Sequence, residues 1–331
     1  MNAKNNTKSN ADTKLDKVLL KTTGRTLEEL IALAREDDNL KVLNEYRGAL
    51  SLWAEHTNDT KQKVIVTLDG RDTAGKGSNI KRVTEYFDLK RHNVYAYGIP
   101  SSEERIDYNW FKRYRDNFPK EGQVSFFDRS WYNRVGVEAA MGFCTQEEYE
   151  WFMQNVANFE KEQIIDAGIK FIKVYLTITQ ESQKQRLKNR ESARKRWKSS
   201  PIDKVAQEKW NYYTRAKVKM LELTNSESTP WTILDSNERW LSAIEIIKAI
   251  INTTSEVASL VEKDLGIDLS PNRNVRRTTQ EELKRMEETG ILEKMKSEFH
   301  FREATEEEIA FVESYRQTHE FDRSSYSYVT K

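Results

Sequence analysis

The chain has 331 residues, enough for one large α/β domain with appendages or two small domains, and its 54 Lys and Arg against 53 Asp and Glu leave a formal charge of only +1. A strongly basic site must therefore come from local clustering. A single cysteine, Cys144, excludes an internal disulfide and fits a reducing compartment; His56, His92, His300 and His319 lack metal-ligand spacing; no stretch approaches ~18 apolar residues and the N-terminus has no apolar signal core, so a cytoplasmic protein with no membrane partner is expected.

Residues 1–20, rich in Asn, Lys, Thr and Asp, offer almost nothing to bury and read as a mobile tail. Thr26 and Glu29 form a capping-box pair ahead of Leu27, Leu30, Ile31 and Leu33, and a second helical pattern runs through Leu40, Leu43, Tyr46, Leu50 and Trp53. Val64, Ile65, Val66 and Leu68 then make the apolar run of a strand buried on both faces, stopped at Asp69-Gly70. Gly70, Gly75 and Lys76 satisfy G-x-x-x-x-G-K, and Ser78 to Val83 opens a helix with Ile80, Val83 and Phe87 on one face. Strand, glycine loop and helix in this order wrap a phosphate chain, because backbone N–H groups, the helix N-terminus and Lys76 all present positive charge. Gly77 stands where such a loop commonly carries the Ser or Thr that binds magnesium, so another group must hold the metal. Asp72, inside the loop, is the first candidate, as a metal or acid–base residue.

A second strand is expected over Asn93–Tyr97, stopped by Gly98-Ile99-Pro100. From Asp107 to Gly122 a helix puts Trp110, Phe111 and Tyr114 on an apolar face, while Lys112, Arg113 and Arg115 project elsewhere and invite a polyanion. Val124 to Phe127 is the third strand, ending at Asp128-Arg129-Ser130. An acid at that end of a strand lies where a Walker B carboxylate meets Mg²⁺, making Asp128 the second metal-site candidate, and Arg129 and Arg134 are placed to neutralise charge on a transferring phosphoryl group. Tyr149, Phe152, Met153, Val156 and Phe159 give a core helix; Phe171–Ile178 and Trp231–Leu234 are the fourth and fifth strands. The alternation predicts a parallel five-stranded sheet between helices.

Between the last two strands lies the most charged stretch, in which Lys184, Arg186, Lys188, Arg190, Arg194, Lys195, Arg196 and Lys198 face one acid, Glu191. Ser200, Pro201 and Asp203 then open a helix carrying Trp210, Tyr213, Ala216 and Met220, so residues from about 180 to 224 read as a helical hairpin with a basic tip, the shape of a lid that closes on phosphates; a nucleic-acid-binding tip has the same pattern. An apolar helix over 241–252 covers the sheet. From 256 the composition turns polar, with capping pairs Thr279–Glu282 and Thr305–Glu308, dividing the chain into a phosphotransferase domain at 21–255 and a polar helical extension at 256–331.

GRDTAGKG at 70–77, DRSWYNR at 128–134 and RKRWKSSPID at 194–203 together resemble polyphosphate kinase family 2, in its single-domain branch acting on nucleoside diphosphates. The resemblance covers roughly residues 40–255. It implies a thymidylate-kinase-like P-loop kinase fold, Mg²⁺, and reversible phosphoryl transfer between inorganic polyphosphate and ADP or GDP, in a homo-oligomer. Carried over by position, it puts Asp72 and Asp128 at the metal and reacting phosphate, Lys76 with Gly70, Gly75, Gly77 and Ser78 in the phosphate loop, and Arg129 and Arg134 beside them. Arg190, Arg194, Lys195, Arg196 and Lys198 would meet the nucleotide or polyphosphate, and Lys81, Arg82, Lys112 and Arg113 would border the polyphosphate path. Two alternatives stay open: an ATP-dependent nucleoside monophosphate kinase, and a non-enzymatic RNA or polyphosphate binder. Against the first stands the amount of positive charge outside the loop, and against the second the retention of Asp72 and Asp128, which a pure polyanion binder would gain by losing. Nucleic acid is therefore not the expected partner.

Overall fold

The structure, a computed structural model, describes residues 36–105, 109–190, 206–271 and 288 in full and the backbone alone at 27–35, 107–108 and 275–276. The expected N-terminal tail, the Thr26 cap, Arg194, Lys195, Arg196, Lys198, the Ser200–Asp203 helix start and the capping pairs after 276 lie outside the described residues.

Helix α1 (Leu27–Asp59) runs without interruption through both expected helical patterns. The polar stretch between them, Arg35 to Asn39, contains no Gly or Pro to stop a helix, and residues 36–38 simply face outward. Strand β1 (Lys63–Gly70) leads through the glycine loop into α2 (Lys76–Val83), followed by β2 (His92–Tyr95), α3 (Asp107–Arg115) and β3 (Val124–Asp128). After a 3₁₀ turn at Trp131–Arg134 come α4 (Val137–Met141), α5 (Gln146–Glu160), which passes into a π turn at Lys161–Ile165, and β4 (Ile169–Thr177). Helix α6 (Gln180–Arg190) and α7 (Trp210–Thr224) are the two described arms of the expected hairpin, and β5 (Trp231–Asp235), α8 (Arg239–Ile251), α9 (Ser255–Asp264) and β6 (Val275–Arg276) follow.

The sheet order is β2-β3-β1-β4-β5-β6. The first five strands are parallel, as expected, and the two-residue β6 adds an antiparallel edge on β5. Because β1 is central, its side chains alternate between two cores. Val64, Val66 and Leu68 join an aliphatic layer with Leu43, Trp53, Ile80 and Ile247, while Ile65 joins an aromatic layer with Trp110, Phe111, Phe127, Trp131 and Phe159 on the other face. That double burial is why β1 reads as an unbroken apolar run. The carboxyl ends of β1, β3 and β5 consequently meet at one edge of the sheet, where open α/β sheets hold ligands.

The boundary expected at 255 falls inside the folded body. Val257 and Val261 on α9, and Leu269 beyond it, are buried in the aliphatic layer, and Trp53 Nε1 donates to Thr254 Oγ1 at 3.1 Å. Polar composition hid this because only one face of α9 is apolar. Replacing Val261 by Ala should destabilise the protein by about 2 kcal/mol, whereas Leu265→Ala, at a half-exposed position, should change stability by less than about 0.5 kcal/mol. Equal effects in thermal melts would place α9 outside the core.

Candidate active site

The glycine loop is shaped by backbone needs. Gly70 has φ 141° and its Cα abuts the Leu176 carbonyl of β4, so a side chain there would strike backbone. Gly75, at φ 96°, caps α2, whose first turn carries no acid and so presents an uncompensated positive end. Lys76 is buried and its Nζ donates to the carbonyls of Gly70 and Arg71, both at 3.0 Å. Burial, followed by the neighbouring Arg129 charge, lowers its pKa to about 8.

Other elements grip the loop from outside. Ser236 Oγ, after β5, donates to Ala74 O at 2.7 Å, and Ser242 Oγ donates to Asn79 Oδ1 at 3.0 Å. From α6, Gln183 donates to Asp72 O at 3.1 Å and Arg186 to Thr73 O at 2.9 Å, to Ser236 O at 2.6 Å and to Asn237 O at 2.9 Å. From α7, the Trp210 ring lies 3.6 Å under the Arg71 guanidinium. Both described arms of the hairpin are thus tied to the loop they flank.

Two carboxylates enter the cavity beside Lys76. Asp128 ends β3 opposite Leu68, and a Cβ at Gly77 would stand 2.5 Å from its Oδ2. Gly77 is therefore the position that admits the Asp128 carboxylate to the loop. Among the described residues no hydrogen bond or ion pair holds that carboxylate. Asp72 is ion-paired to Arg129 at 3.2 Å and to Arg190 at 3.4 Å. The cavity, about 590 Å³, is bounded by Asp72, Lys76, Lys81, Asp128, Arg129 and Arg190 among others. A second groove of about 620 Å³ shares Arg186, Asn189 and Arg239 with it and continues past Arg82 to Trp240 and the first turns of α1 that are described. No cluster of three or more His, Cys, Asp or Glu able to hold a metal occurs among the described residues. Two carboxylates facing a phosphate cavity, one admitted by an absent side chain, instead fit Mg²⁺, which takes one or two carboxylates and completes its octahedron with waters and substrate phosphates.

Arg129 owes its direction to an unusual backbone. Its φ of 72° is left-handed, costing about 1–2 kcal/mol for a residue with a Cβ. The next residue is locked: Ser130 N–H and Oγ donate to Asp69 Oδ1 at 3.1 Å and Oδ2 at 2.7 Å, and the Arg129 N–H reaches Leu68 O at 3.1 Å. Burial pushes the Asp69 carboxyl up to about 6 against these hydrogen bonds, which lower it.

Three expected site residues do not face the cavity. Arg134 is 1% exposed, pairs with Glu138 at 2.9 Å and lies 4.2 Å from the Trp110 ring, because the 3₁₀ turn carries it round into the aromatic layer. Arg113 stacks 4.7 Å from the Tyr97 ring, pairs with Glu104 at 3.5 Å and donates to Gly98 O at 2.9 Å, its side chain 5% exposed. Lys112 is exposed and pairs with Asp116 at 2.6 Å, one turn along the same helix. Arg82 sits in the second groove, donating to Ser78 O at 3.1 Å, while Ser78 Oγ donates to Gly75 O at 2.9 Å and Lys81 faces the phosphate cavity. Sequence reading misses Asp69, Gln183 and Arg239, and places Arg186 only as one base of the hairpin, not against the loop. Asp69 had a usable signal, an acid at the end of the central strand; Arg186 had none, being one base among many.

A five-stranded parallel order centred on a glycine loop, with a carboxylate at the end of the adjacent strand, defines a P-loop kinase fold. Residues 33–260 match the model of the polyphosphate kinase 2 family, and the chain belongs to that family. The polyphosphate kinase PPK2B of Corynebacterium glutamicum is 34% identical over 248 residues, 72% of this chain and 79% of that protein. NDP-polyphosphate phosphotransferase 2 of Ruegeria pomeroyi is 38% identical over 205 residues, 62% of this chain and 58% of that protein, so the match spans little more than half of the Ruegeria chain. The crystal structure of polyphosphate kinase 2 from Arthrobacter aurescens superposes with a TM-score of 0.60 at 25% identity, over 76% of this chain and 87% of that one. No helix among the described residues is long and apolar enough to cross a membrane.

Two outcomes test this geometry. Gly77→Ala should displace Asp128 and cut phosphoryl transfer at least about tenfold while the melting temperature stays within a few degrees, since the obstructing atom ends a side chain that can turn; unchanged transfer would disconnect Asp128 from the loop. Metal-free binding of sulfate, which does not titrate between pH 7 and 9, should weaken across that range as Lys76 loses its proton through about 8. In Lys76→Met that pH dependence should vanish.

Proposed function

We propose that the protein transfers a phosphoryl group reversibly between inorganic polyphosphate and a nucleoside diphosphate, ADP or GDP, giving the triphosphate, with Mg²⁺ as cofactor. The observation that carries this reading is the Asp128 carboxylate set against Gly77 in the cavity that also holds Lys76, Asp72 and Arg129. Asp72 and Asp128 would hold Mg²⁺, which when bound supplies charge neutralisation between the reacting phosphates. Lys76 and the loop N–H groups seat the phosphoryl donor. Arg129, and Arg190 from α6, can turn from Asp72 to phosphate oxygens, neutralising charge that builds in the transition state. No side chain need remove a proton, because a diphosphate acceptor is already ionised near neutral pH; the chain's work is positioning and charge.

The groove beyond the loop supports the choice of a long polyanion over a second short nucleotide. Arg82 lines it together with Arg186 and Arg239, which it shares with the phosphate cavity, so positive charge continues beyond the loop. On this reading polyphosphate leaves the loop along α2 and α8, not along α3. The same reading carries a cytoplasmic location, with access to nucleoside diphosphates, and a homo-oligomer, for which exposed Leu89, Val94 and Ile99 near the β2 edge offer apolar surface.

The deciding experiment incubates the protein with Mg²⁺, ADP or GDP, and polyphosphate, and looks for triphosphate. Asp128→Asn should lower turnover by about two orders of magnitude or more in folded protein. Use of ATP and a monophosphate, without use of polyphosphate, would instead give a monophosphate kinase. Arg239→Glu should raise the apparent KM for polyphosphate and flatten its salt dependence, since a polyanion displaced from several cations recaptures counterions; Lys112→Glu should do neither.

A further inference from the structure

Trp131 and Tyr132, just after Arg129-Ser130, are held from behind by a buried polar cluster that does not line the phosphate cavity. Glu160, the last residue of α5, is 2% exposed, and Lys173, at the centre of β4, is 0% exposed. Lys173 Nζ spends its three donors on Glu160 Oε2 at 2.9 Å, Thr224 O at 2.7 Å and Thr229 Oγ1 at 3.2 Å. Glu160 Oε1 receives the Trp131 indole N–H at 3.1 Å and the Tyr132 hydroxyl at 2.5 Å. The Tyr132 phenol is pushed well above its usual pKa by burial and then by the Glu160 charge, so it stays protonated and donates.

A buried ion pair contributes little net stability over apolar residues of the same volume. This one does something a leucine could not: it aims one carboxylate oxygen at two donors that directly follow Arg129-Ser130. The main chain there is held as well, Ser130 O accepting from Tyr114 Oη at 3.0 Å and Trp131 O from Trp110 Nε1 at 3.3 Å. Left-handed backbone at a residue with a Cβ persists only where its surroundings over-determine it, and Arg129 is the one residue of this segment in that conformation. From the cluster's position we infer that Glu160, fixed by Lys173, is a positioning residue for phosphoryl transfer: through Trp131 and Tyr132 it holds the strained turn that points Arg129 into the phosphate cavity. The inference rests on the polyphosphate reading only for the identity of the reaction.

Removing Glu160 would strand Lys173 and risks unfolding, so the test uses Tyr132→Phe, which deletes one donor and leaves the ion pair in place; Trp131→Phe replaces it if that variant does not fold. Each is made with Arg129 present and in Arg129→Ala. With Arg129 present, kcat for transfer from polyphosphate to ADP should fall about tenfold, with the melting temperature shifted by only a few degrees. In Arg129→Ala the same change should cost less than twofold, since residues acting through one another are non-additive. The same factor in both backgrounds, or no loss in either, overturns the inference, because structural damage would act whether or not Arg129 is there. If wild type transfers nothing from polyphosphate, the activity reading fails on its own, and calorimetric affinity for inorganic tripolyphosphate across the same four proteins decides the positioning role. Weakening confined to the Arg129 background keeps it, and equal weakening or none removes it.

Discussion

The approach of the glycine loop to the end of β3 governs what the rest of the site can be. With no side chain at Gly77, the loop backbone comes close enough to Asp128 that a Cβ would stand 2.5 Å from its carboxylate. A side chain at 77 would occupy the space that the Asp128 carboxylate takes, so loop and strand must keep a fixed separation. Much of the surrounding hydrogen bonding serves that separation. Gly70 presses against β4, Ser236 fastens Ala74 from β5, and Arg186 collects carbonyls from the loop and from the β5–α8 turn. Parallel strands make this economical, since all their carboxyl ends meet at one edge.

Acids in a cavity built for anions need cations nearby, and the balance is local. Asp72 faces two arginines and Asp69 faces a serine. The difference is functional. A carboxylate paired with partly exposed arginines can exchange them for another cation, whereas Asp69, buried and bonded twice to Ser130, gains nothing by moving and serves as an anchor. Lys76 occupies an intermediate position: its ammonium rests on two carbonyls, a weak hold for a buried charge, and a phosphate oxygen is a better acceptor for the same donors.

The parts of this molecule that were legible from sequence are those whose signal is local. The apolar run of β1, the glycine spacing and the acid closing β3 each announce themselves within a few residues, because strand burial, left-handed turns and strand-end ligands impose local composition. Side-chain direction is not local. Arg134 follows Asp128 by six residues and reads as an active-site base, yet one 3₁₀ turn sends it between Trp110 and Glu138. Arg113 likewise shares a helix face with no outward requirement and folds over Tyr97. The single α1 and the buried face of α9 were misread for a related reason: composition averages over a helix, whereas burial acts on one side of it.

Those inward arginines also change how the remaining charge should be weighed. Guanidinium groups that stack on aromatic rings inside an aromatic layer are part of its packing and exert little field at the cavity. Arg82 and Arg186 differ from them. Burial, and then the nearby charge of Arg239, lowers both from the usual arginine range, Arg186 to about 10. The acids that offset this, Glu36 for Arg82 and Asp235 for Arg186, are weaker influences than Arg239. Like charges held together against their own repulsion lose that penalty when an anion enters among them. The groove joined to the phosphate cavity therefore concentrates positive charge locally in a chain of nearly zero net charge.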